Sequence, residues 1–407
     1  MEEKKKWDLI SIASIPLVMT LGNSMLIPVL PTIEKELEIS SLQSSLIITV
    51  YSVVAILLIP IAGYLSDRLG RKKIIIPSLI IAGAGGFVAG FASWMMDDPY
   101  WIILAGRLLQ GIGASGAFPV VLPLVGDMFK NEQQVSSSLG MVETSNTFGK
   151  VLSPIIGAFL ASFIWFIPFL AIPVFCLIST LLVLFLVKSP KKQEEPQPFR
   201  GFLKSVKQIF ADKGRWLYAI FAIGCIFMFV LFGVLFFLST VLQDHYGIKG
   251  TMKGFILAAP LLALSTASYI TGKKIGQNKP LMKKLTLAGC LLLTASIFAV
   301  GFIEQIALFI GVFVAGGVGI GLVLPCLDAF ITEGIEKEQR GTVSSIYSSM
   351  RFIGVALGPP LFAVLMKFSH QMLFFTITAV CIVAVLFALL AIKPSGKSSE
   401  ENLKPTS

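Results

Sequence analysis

Long apolar segments alternate with short polar ones along the whole chain. A helix of about 20 apolar residues is long enough to cross a bilayer. Because backbone polar groups in lipid must be bonded within their own segment, each apolar run is predicted to be an α-helix. Twelve such spans are predicted, at residues 8–30, 42–65, 74–96, 101–125, 137–160, 163–187, 216–242, 252–272, 283–303, 306–330, 343–366 and 371–392.

Composition supports an all-α membrane protein. Of the 407 residues, 55% are hydrophobic and only 14% are charged, whereas soluble domains are about a quarter charged. The net charge of +10 does not indicate nucleic acid as a partner, because the Lys and Arg residues lie in short loops between the spans. The five cysteines fall inside apolar runs without a CxxC pair, and there are only two histidines. No metal or other cofactor is therefore predicted.

The distribution of basic residues predicts the orientation. With a cytoplasmic N-terminus, 26 Lys and Arg residues fall inside the cell, 4 fall outside and 3 lie within spans. Basic residues concentrate in cytoplasmic loops, so both termini are expected to be cytoplasmic. The first apolar run is too long for a cleavable signal peptide and is interpreted as the first span.

An internal repeat divides the spans six and six. GIGASGAFP, ending at Pro119, matches GVGIGLVLP, ending at Pro325, and Gly149-x3-Ser153-Pro154 matches a segment about 205 residues later. Two repeated six-helix halves are typical of one large class of transporters. The predicted organisation is an N-terminal bundle, a cytoplasmic linker loop, a C-terminal bundle and a cytoplasmic tail, at 1–187, 188–215, 216–393 and 394–407.

The most specific motif is GYLSDRLGRKK at 63–73, between the second and third spans. It resembles the signature loop of the major facilitator superfamily. Membership would imply two six-helix bundles that expose a midplane site alternately to the two sides. The resemblance implies gating roles for six residues at the cytoplasmic interface: Gly63, Asp67, Arg68, Gly70, Arg71 and Asp127. For Asp127 a simple helix-end charge is the alternative. Arg71 and Asp127 are expected to form an ion pair.

The fifth span resembles the motif of the family's antiporter branch. It carries Gly149, Ser153, Pro154 and Gly157, and it departs from the motif twice, with Ser153 and Ala158 where the motif has glycine. Both replacements are small, so close helix packing is expected to survive. The resemblance implies proton-coupled export of small amphipathic molecules from a bacterial cell, as in multidrug efflux.

Ionisable residues inside spans are costly and mark candidate sites. Glu143, Asp328 and Arg107 are predicted to serve proton coupling. Structural alternatives stay open for each: a salt bridge between Glu143 and Lys150, a helix-end charge for Asp328, and an Arg107 held only by backbone carbonyls and a structural acid. The substrate cavity is predicted to include Asn23, Phe118, Lys150, Phe229, Phe236 and Arg351.

The three intramembrane cations outnumber the two acids, which favours an acidic or neutral substrate. The opening stretch SIASIPLVMTLGNSMLIPVLPTIEKEL also resembles siderophore-exporting members of the family, so a dedicated catecholate siderophore exporter is the alternative function. A channel or receptor fits less well, since channels need pore-lining rings. No GxxxxGK[ST] or hydrolase motif occurs, so an enzyme is not expected. The expected partners are the small-molecule substrate, protons and the lipid bilayer, with the chain acting as a monomer.

Overall fold

The computed structural model describes residues 3–128, 132–187, 199–276, 278–303, 305–335 and 337–392. Within them every regular element is helical. The thirteen α-helices are α1 (Glu3–Ser24), α2 (Leu30–Glu36), α3 (Ser41–Leu69), α4 (Arg71–Met95), α5 (Tyr100–Met128), α6 (Glu132–Ala161), α7 (Ile167–Leu186), α8 (Phe199–Asp244), α9 (Gly250–Ile275), α10 (Lys279–Val300), α11 (Ile306–Gly334), α12 (Lys337–Leu365) and α13 (His370–Leu390).

Eleven segments of the described chain are long and apolar enough to cross a membrane. Their outer surfaces carry large apolar side chains. For example, Trp101 and Phe185 are 71% and 76% exposed. Such a surface is unfavourable in water and favourable against lipid acyl chains. The prediction of an all-α membrane protein is therefore confirmed.

The first predicted span differs from a single straight helix. α1 ends at Ser24, a 3-10 turn covers Ile27–Val29, and α2 continues to Glu36. Pro28 and Pro31 lie in this segment, and proline lacks the N–H that an unbroken helix needs. The whole stretch Trp7–Glu36 still has the length of one span.

The predicted linker loop is helical in its second part. Residues 188–198 lie outside the described chain, as do Lys130 and the tail 394–407, but α8 already begins at Phe199. Apolar residues recur at helical spacing there, at Phe199, Phe202, Val206 and Ile209, and this period outweighs the polar composition that suggested a loop.

The packing of helices repeats between the two halves. In the N-terminal half α1 packs on α6, α4 on α5 and α4 on α7; in the C-terminal half α8 packs on α12, α10 on α11 and α10 on α13. The halves meet through α3 against α12 and α6 against α9, and these two contacts are themselves equivalent under the repeat.

Two ends of the bundle are distinguished by their charges. The basic end carries the α3–α4 and α9–α10 connections, with Lys73, Lys273 and Lys274. The far end carries α2 and the last turn of α8.

Candidate functional site

A small cavity of about 10 Å³ lies where the two halves meet. Its walls come from α1 and the following turn, from α6, and from α8 and α9. They are apolar apart from Ser24 and the amine of Lys150, and the full lining is Ser24, Ile27, Lys150, Pro154, Leu231, Phe232, Leu235, Leu257 and Leu261.

Four charged side chains from both halves lie in electrostatic range of one another. Lys150 and Glu143 come from α6, Asp328 from α11 and Arg351 from α12. Arg351 Nη1 is 3.9 Å from Asp328 Oδ1, whereas Glu143 Oε1 accepts a hydrogen bond of 3.2 Å from the amide of Asn146. Among the described residues no acid lies within ion-pair distance of Lys150. These four residues are called the central cluster below.

Arg107 is fully buried and is held by oxygens that carry no formal charge. Its guanidinium donates to the carbonyl oxygens of Ile47 at 2.7 Å and Gly22 at 3.2 Å, to Asn23 Oδ1 at 2.7 Å, and to Gln110 Oε1. The guanidinium carbon lies 4.6 Å from the centroid of the Tyr51 ring. The two backbone carbonyls agree with part of the alternative stated for Arg107, but its partners include no structural acid, and Glu143 is not among them. Asn23 is 6% exposed and serves Arg107 instead of lining the cavity.

The signature loop forms an ion-pair network at the basic end. Gly70 ends α3 with φ of 103°, a conformation that favours glycine. Arg71 then pairs with Asp67 and, at 3.0 Å, with Asp127 of α5, and it donates to Ser66 Oγ at 2.8 Å. The predicted pair of Arg71 and Asp127 is therefore present, and all of these contacts lie within the N-terminal half.

Two other signature-loop residues have different surroundings. Arg68 is exposed. A Cβ placed on Gly63 would lie 3.7 Å from Ser345 Oγ of α12, so this glycine is at the contact between the halves.

The antiporter-type motif holds α6 against α1. A side chain on Gly157 would overlap the backbone of Met25, and one on Gly149 would lie 3.2 Å from Leu17. The hydroxyl of Ser153 is accommodated because it donates to Gly149 O, one turn back. In the second half Gly358 packs on α8 in the same way, with an added Cβ 2.7 Å from Phe229 O.

The three phenylalanines that were predicted to line the cavity do not line the cavity described above. Phe236 is 0% exposed, Phe229 packs edge-on against Phe362 at 5.9 Å, and Phe118 is half-buried against the N-terminal core. The phenylalanine that lines the cavity is Phe232. α8 is apolar around its whole circumference over this stretch, so no period in the sequence shows which side chains turn inward.

Polar contacts across the halves close the far end. Lys35 Nζ of α2 lies 2.6 Å from Asp244 Oδ1 of α8, and Thr32 donates to Gln243 Oε1 at 3.2 Å. The same Gln243 oxygen accepts from Lys253 Nζ at 2.7 Å, and Lys253 is only 2% exposed. We call Thr32, Lys35, Gln243, Asp244 and Lys253 the far-end latch. No pattern in the sequence predicts it, since the partners from the two halves are some 210 residues apart.

Two repeated halves that meet at a cavity with a charged residue in its lining define a membrane carrier. The chain belongs to the Major Facilitator Superfamily, which it matches over residues 12–356 and 282–406. It is 59% identical to the Bacillibactin exporter of Bacillus subtilis (strain 168), over 97% of this chain and 98% of that protein. It is 24% identical to Multidrug resistance protein 2 of the same organism, over 86% of each chain.

The fold is shared with a solved transporter. The crystal structure of the human organic anion transporter MFSD10 (TETRAN) matches with a TM-score of 0.75 at 18% identity, over 95% of this chain and 100% of that one. The resemblance to the superfamily that the signature loop suggested is confirmed. The protein is a multi-pass protein of the bacterial plasma membrane.

Proposed function

We propose that this protein exports a small acidic molecule of the catecholate siderophore type by alternating access of its central cavity. The observation that carries the proposal is the position of Lys150. Lys150 lines an otherwise mostly apolar cavity between the halves, and its amine has no acid among the described residues at ion-pair distance. A positive charge acts strongly in a low-dielectric cavity, so it favours anionic ligands. The name of the 59% identical relative, an exporter of bacillibactin, supports the same substrate class.

We propose that α6 is the twelfth span. It is 30 residues long, but its mean hydropathy is reduced by Glu143, Lys150 and neighbouring Ser, Thr and Asn residues. It packs between α1 and α9, and polar residues are tolerated in a span whose polar face meets protein or a cavity. The basic loops support cytoplasmic termini, and the repeated packing supports halves at 1–187 and 216–393 that act together in a monomer.

Gating and proton coupling are assigned to different residues. The ion pairs of Arg71 with Asp67 and Asp127 would stabilise the helices at the basic end in one state of the transport cycle. They would break in the other state. Within the central cluster, Glu143 and Asp328 are the groups that can take up protons. Arg107 would act only through the field of its buried charge, since its hydrogen bonds go to neutral oxygens.

A second candidate is export of amphipathic drugs. The cavity lining is mostly aliphatic, with Phe232 as its aromatic member. Such a lining suits apolar and amphipathic substrates. Similarity to Multidrug resistance protein 2 of Bacillus subtilis supports this reading. The two candidates differ in the charge of the substrate.

Substitution of Lys150 separates the two candidates. Lys150→Met removes the charge and keeps much of the length, and Lys150→Arg is the matched control that keeps the charge. Cells lacking the chromosomal gene would carry each variant, and bacillibactin secretion and ethidium efflux would be measured in the same culture. We expect Lys150→Met to lower secretion about tenfold or more, the size of one lost charge-assisted contact, with ethidium efflux unchanged. Normal secretion by the deletion strain itself, or a loss confined to ethidium, would refute the siderophore proposal.

A further inference from the structure

Prolines lie inside both helices of the α3–α12 contact, where the two halves meet. Pro60 is within α3, and Pro359 and Pro360 are within α12. In an α-helix each backbone N–H donates to the carbonyl oxygen four residues earlier, and proline has no N–H. The carbonyl oxygen of Ile56 therefore lacks its helical donor because of Pro60. That of Ala356 lacks its helical donor because of Pro360.

Each of these two carbonyl oxygens faces a hydroxyl from the opposite half. Thr49 Oγ1 of α3 donates to Ala356 O of α12 at 2.8 Å. In the reverse direction, Ser349 Oγ of α12 lies 3.5 Å from Ile56 O of α3, at the outer limit of a hydrogen bond. Each helix thus offers a hydroxyl to the carbonyl oxygen that a proline has freed in the other.

Both hydroxyls also have an acceptor in their own helix. Thr49 Oγ1 lies 3.3 Å from Ser45 O, and Ser349 Oγ lies 3.2 Å from Ser345 O. A hydroxyl carries one hydrogen, so it favours the nearer of its two acceptors. Thr49 is then bonded across the contact, whereas Ser349 is bonded mainly within α12. The two positions that such a hydroxyl can take are therefore both present in this structure.

The two hydroxyls lie at different depths of the contact. α3 runs from Ser41 at the far end to Leu69 at the basic end. Thr49 lies about two turns from the far-end start of α3, and Ile56 lies about four turns from it, near the middle of the helix. The hydroxyl nearer the closed far end is the one that crosses between the halves.

We propose that Thr49 and Ser349 are switching donors, whose hydroxyls move between a carbonyl oxygen of their own helix and the proline-freed carbonyl oxygen of the opposite half. The inference rests on the proposed alternating access and applies to any substrate. In the closed contact the hydroxyl pairs with a carbonyl that would otherwise be buried without a donor, which is unfavourable. When the contact opens, the hydroxyl turns to its own helix and water reaches the freed carbonyl. Opening therefore leaves no buried donor without an acceptor.

The test removes the Thr49 hydroxyl and keeps the shape of the side chain. Full-length protein with its five native cysteines replaced would carry spin labels at Glu36→Cys and Lys249→Cys, two exposed far-end positions on opposite halves. The distance distribution would be measured in lipid nanodiscs by double electron–electron resonance. We expect Thr49→Val to raise the ratio of open to closed molecules about fivefold, or about 1 kcal/mol.

Two variants control for the loss of the hydroxyl. Thr49→Ser keeps the hydroxyl and should match wild type. Thr294→Val removes a hydroxyl that donates to Cys290 O within α10, away from the α3–α12 contact, and it should also match wild type. A Thr49→Val variant with the same open fraction as Thr49→Ser would overturn the inference without any change to a proline.

Removal of Pro360 tests the cause of the effect. Pro360→Ala supplies an N–H that can donate to Ala356 O within α12, so Thr49→Val should change the ratio by less than about twofold in that background. Pro359→Ala is the matched control, because its N–H would pair with Val355 O, and the effect of Thr49→Val should persist there. An equal effect of Thr49→Val in both backgrounds would contradict the inference. Because no substrate enters the measurement, that result leaves the proposed export standing, whereas a wild type that never populates an open far end would refute alternating access and the inference together.

Discussion

Weakening the far-end latch should raise the fraction of molecules that are open at that end. In the closed structure Gln243 Oε1 joins Thr32 of the N-terminal half to Lys253 of the C-terminal half. Gln243→Leu leaves the ammonium of Lys253, only 2% exposed, without an acceptor. In an open state water can solvate the same group, so the substitution destabilises the closed state selectively.

The contacts of the far-end latch differ in the free energy that each is expected to contribute to the closed state. A hydrogen bond to a charged group contributes about 1.5–3 kcal/mol, and a neutral one about 0.5–1.5 kcal/mol. Gln243→Leu should therefore shift the equilibrium between the closed and open states toward the open state by about 2 kcal/mol, or roughly thirtyfold. Thr32→Val should shift it roughly fivefold, by about 1 kcal/mol. The pair of Lys35 and Asp244 is 56% and 41% exposed, so Lys35→Ala should shift it by about 0–1 kcal/mol.

Labelling of a cysteine in the closed contact measures the open fraction. Val29 is 1% exposed at this end, and Val29→Cys would be introduced after the five native cysteines are replaced. A membrane-impermeant maleimide added outside intact cells should react fastest with the Gln243→Leu variant, more slowly with Thr32→Val, and most slowly with wild type. Lys249→Ala removes an exposed lysine at the same end and should leave the rate unchanged. If Gln243→Leu labels at the wild-type rate, or Lys249→Ala accelerates labelling as much, the latch does not hold this end closed.

Three further predictions test the other parts of the site. Glu143→Gln should remove the response of vesicle transport to an imposed pH gradient while the protein level stays normal; a full response in the variant would make Glu143 a structural residue. Arg71→Ala and Asp67→Asn should slow turnover with little change in substrate affinity, measured as flux in vesicles and binding to purified protein, and an equal loss of both would contradict the gating role. Gly157→Leu should prevent close packing of α6 on α1, because even a Cβ overlaps the backbone of Met25; we expect loss of folded protein by size-exclusion chromatography, whereas Gly126→Ala, at an open position, should behave as wild type.

Conspicuous residues made much of this site predictable. Charged side chains are rare in apolar spans, so Lys150, Asp328 and Arg351 stood out before any geometry was known, and the structure brings them together. The glycines of the signature loop and of α6 were equally visible, because glycine in a fixed pattern marks close contacts and special backbone angles.

Other parts of the site depend on tertiary position. Asn23 is polar in a span and was predicted to face the cavity, but a buried guanidinium takes its oxygen. Phe229, Phe232 and Phe236 are indistinguishable in an all-apolar helix, although only Phe232 lines the cavity. Which side chains turn inward is a property of the packed structure, and the sequence does not contain it in readable form.

The charges of the central cluster also set the sign of any link between protons and substrate. Lys150 and Arg351 carry +2 and Glu143 and Asp328 carry −2 when all four are ionised, so the cluster is then neutral. Each proton taken up by an acid adds one positive charge, and a proton on Asp328 also frees Arg351 from its ion pair. An anionic substrate should therefore bind more tightly as the pH falls from 8 to 6, whereas a cationic substrate should be displaced.

This sign can be measured on purified protein, and Asp328→Asn supplies the control. The ionisation of the substrate itself is the same with both proteins, so only the difference between their pH profiles belongs to the site. We expect bacillibactin affinity to rise more steeply toward low pH in wild type than in the variant. Identical profiles, or a wild-type affinity that falls more steeply, would contradict the argument. Outward movement of an anion is also favoured by a membrane potential that is negative inside, by about 2.3 kcal/mol per charge at 100 mV. For an acidic substrate that potential would supply driving force in addition to any contribution from protons, and a cationic drug would have to be exported against it.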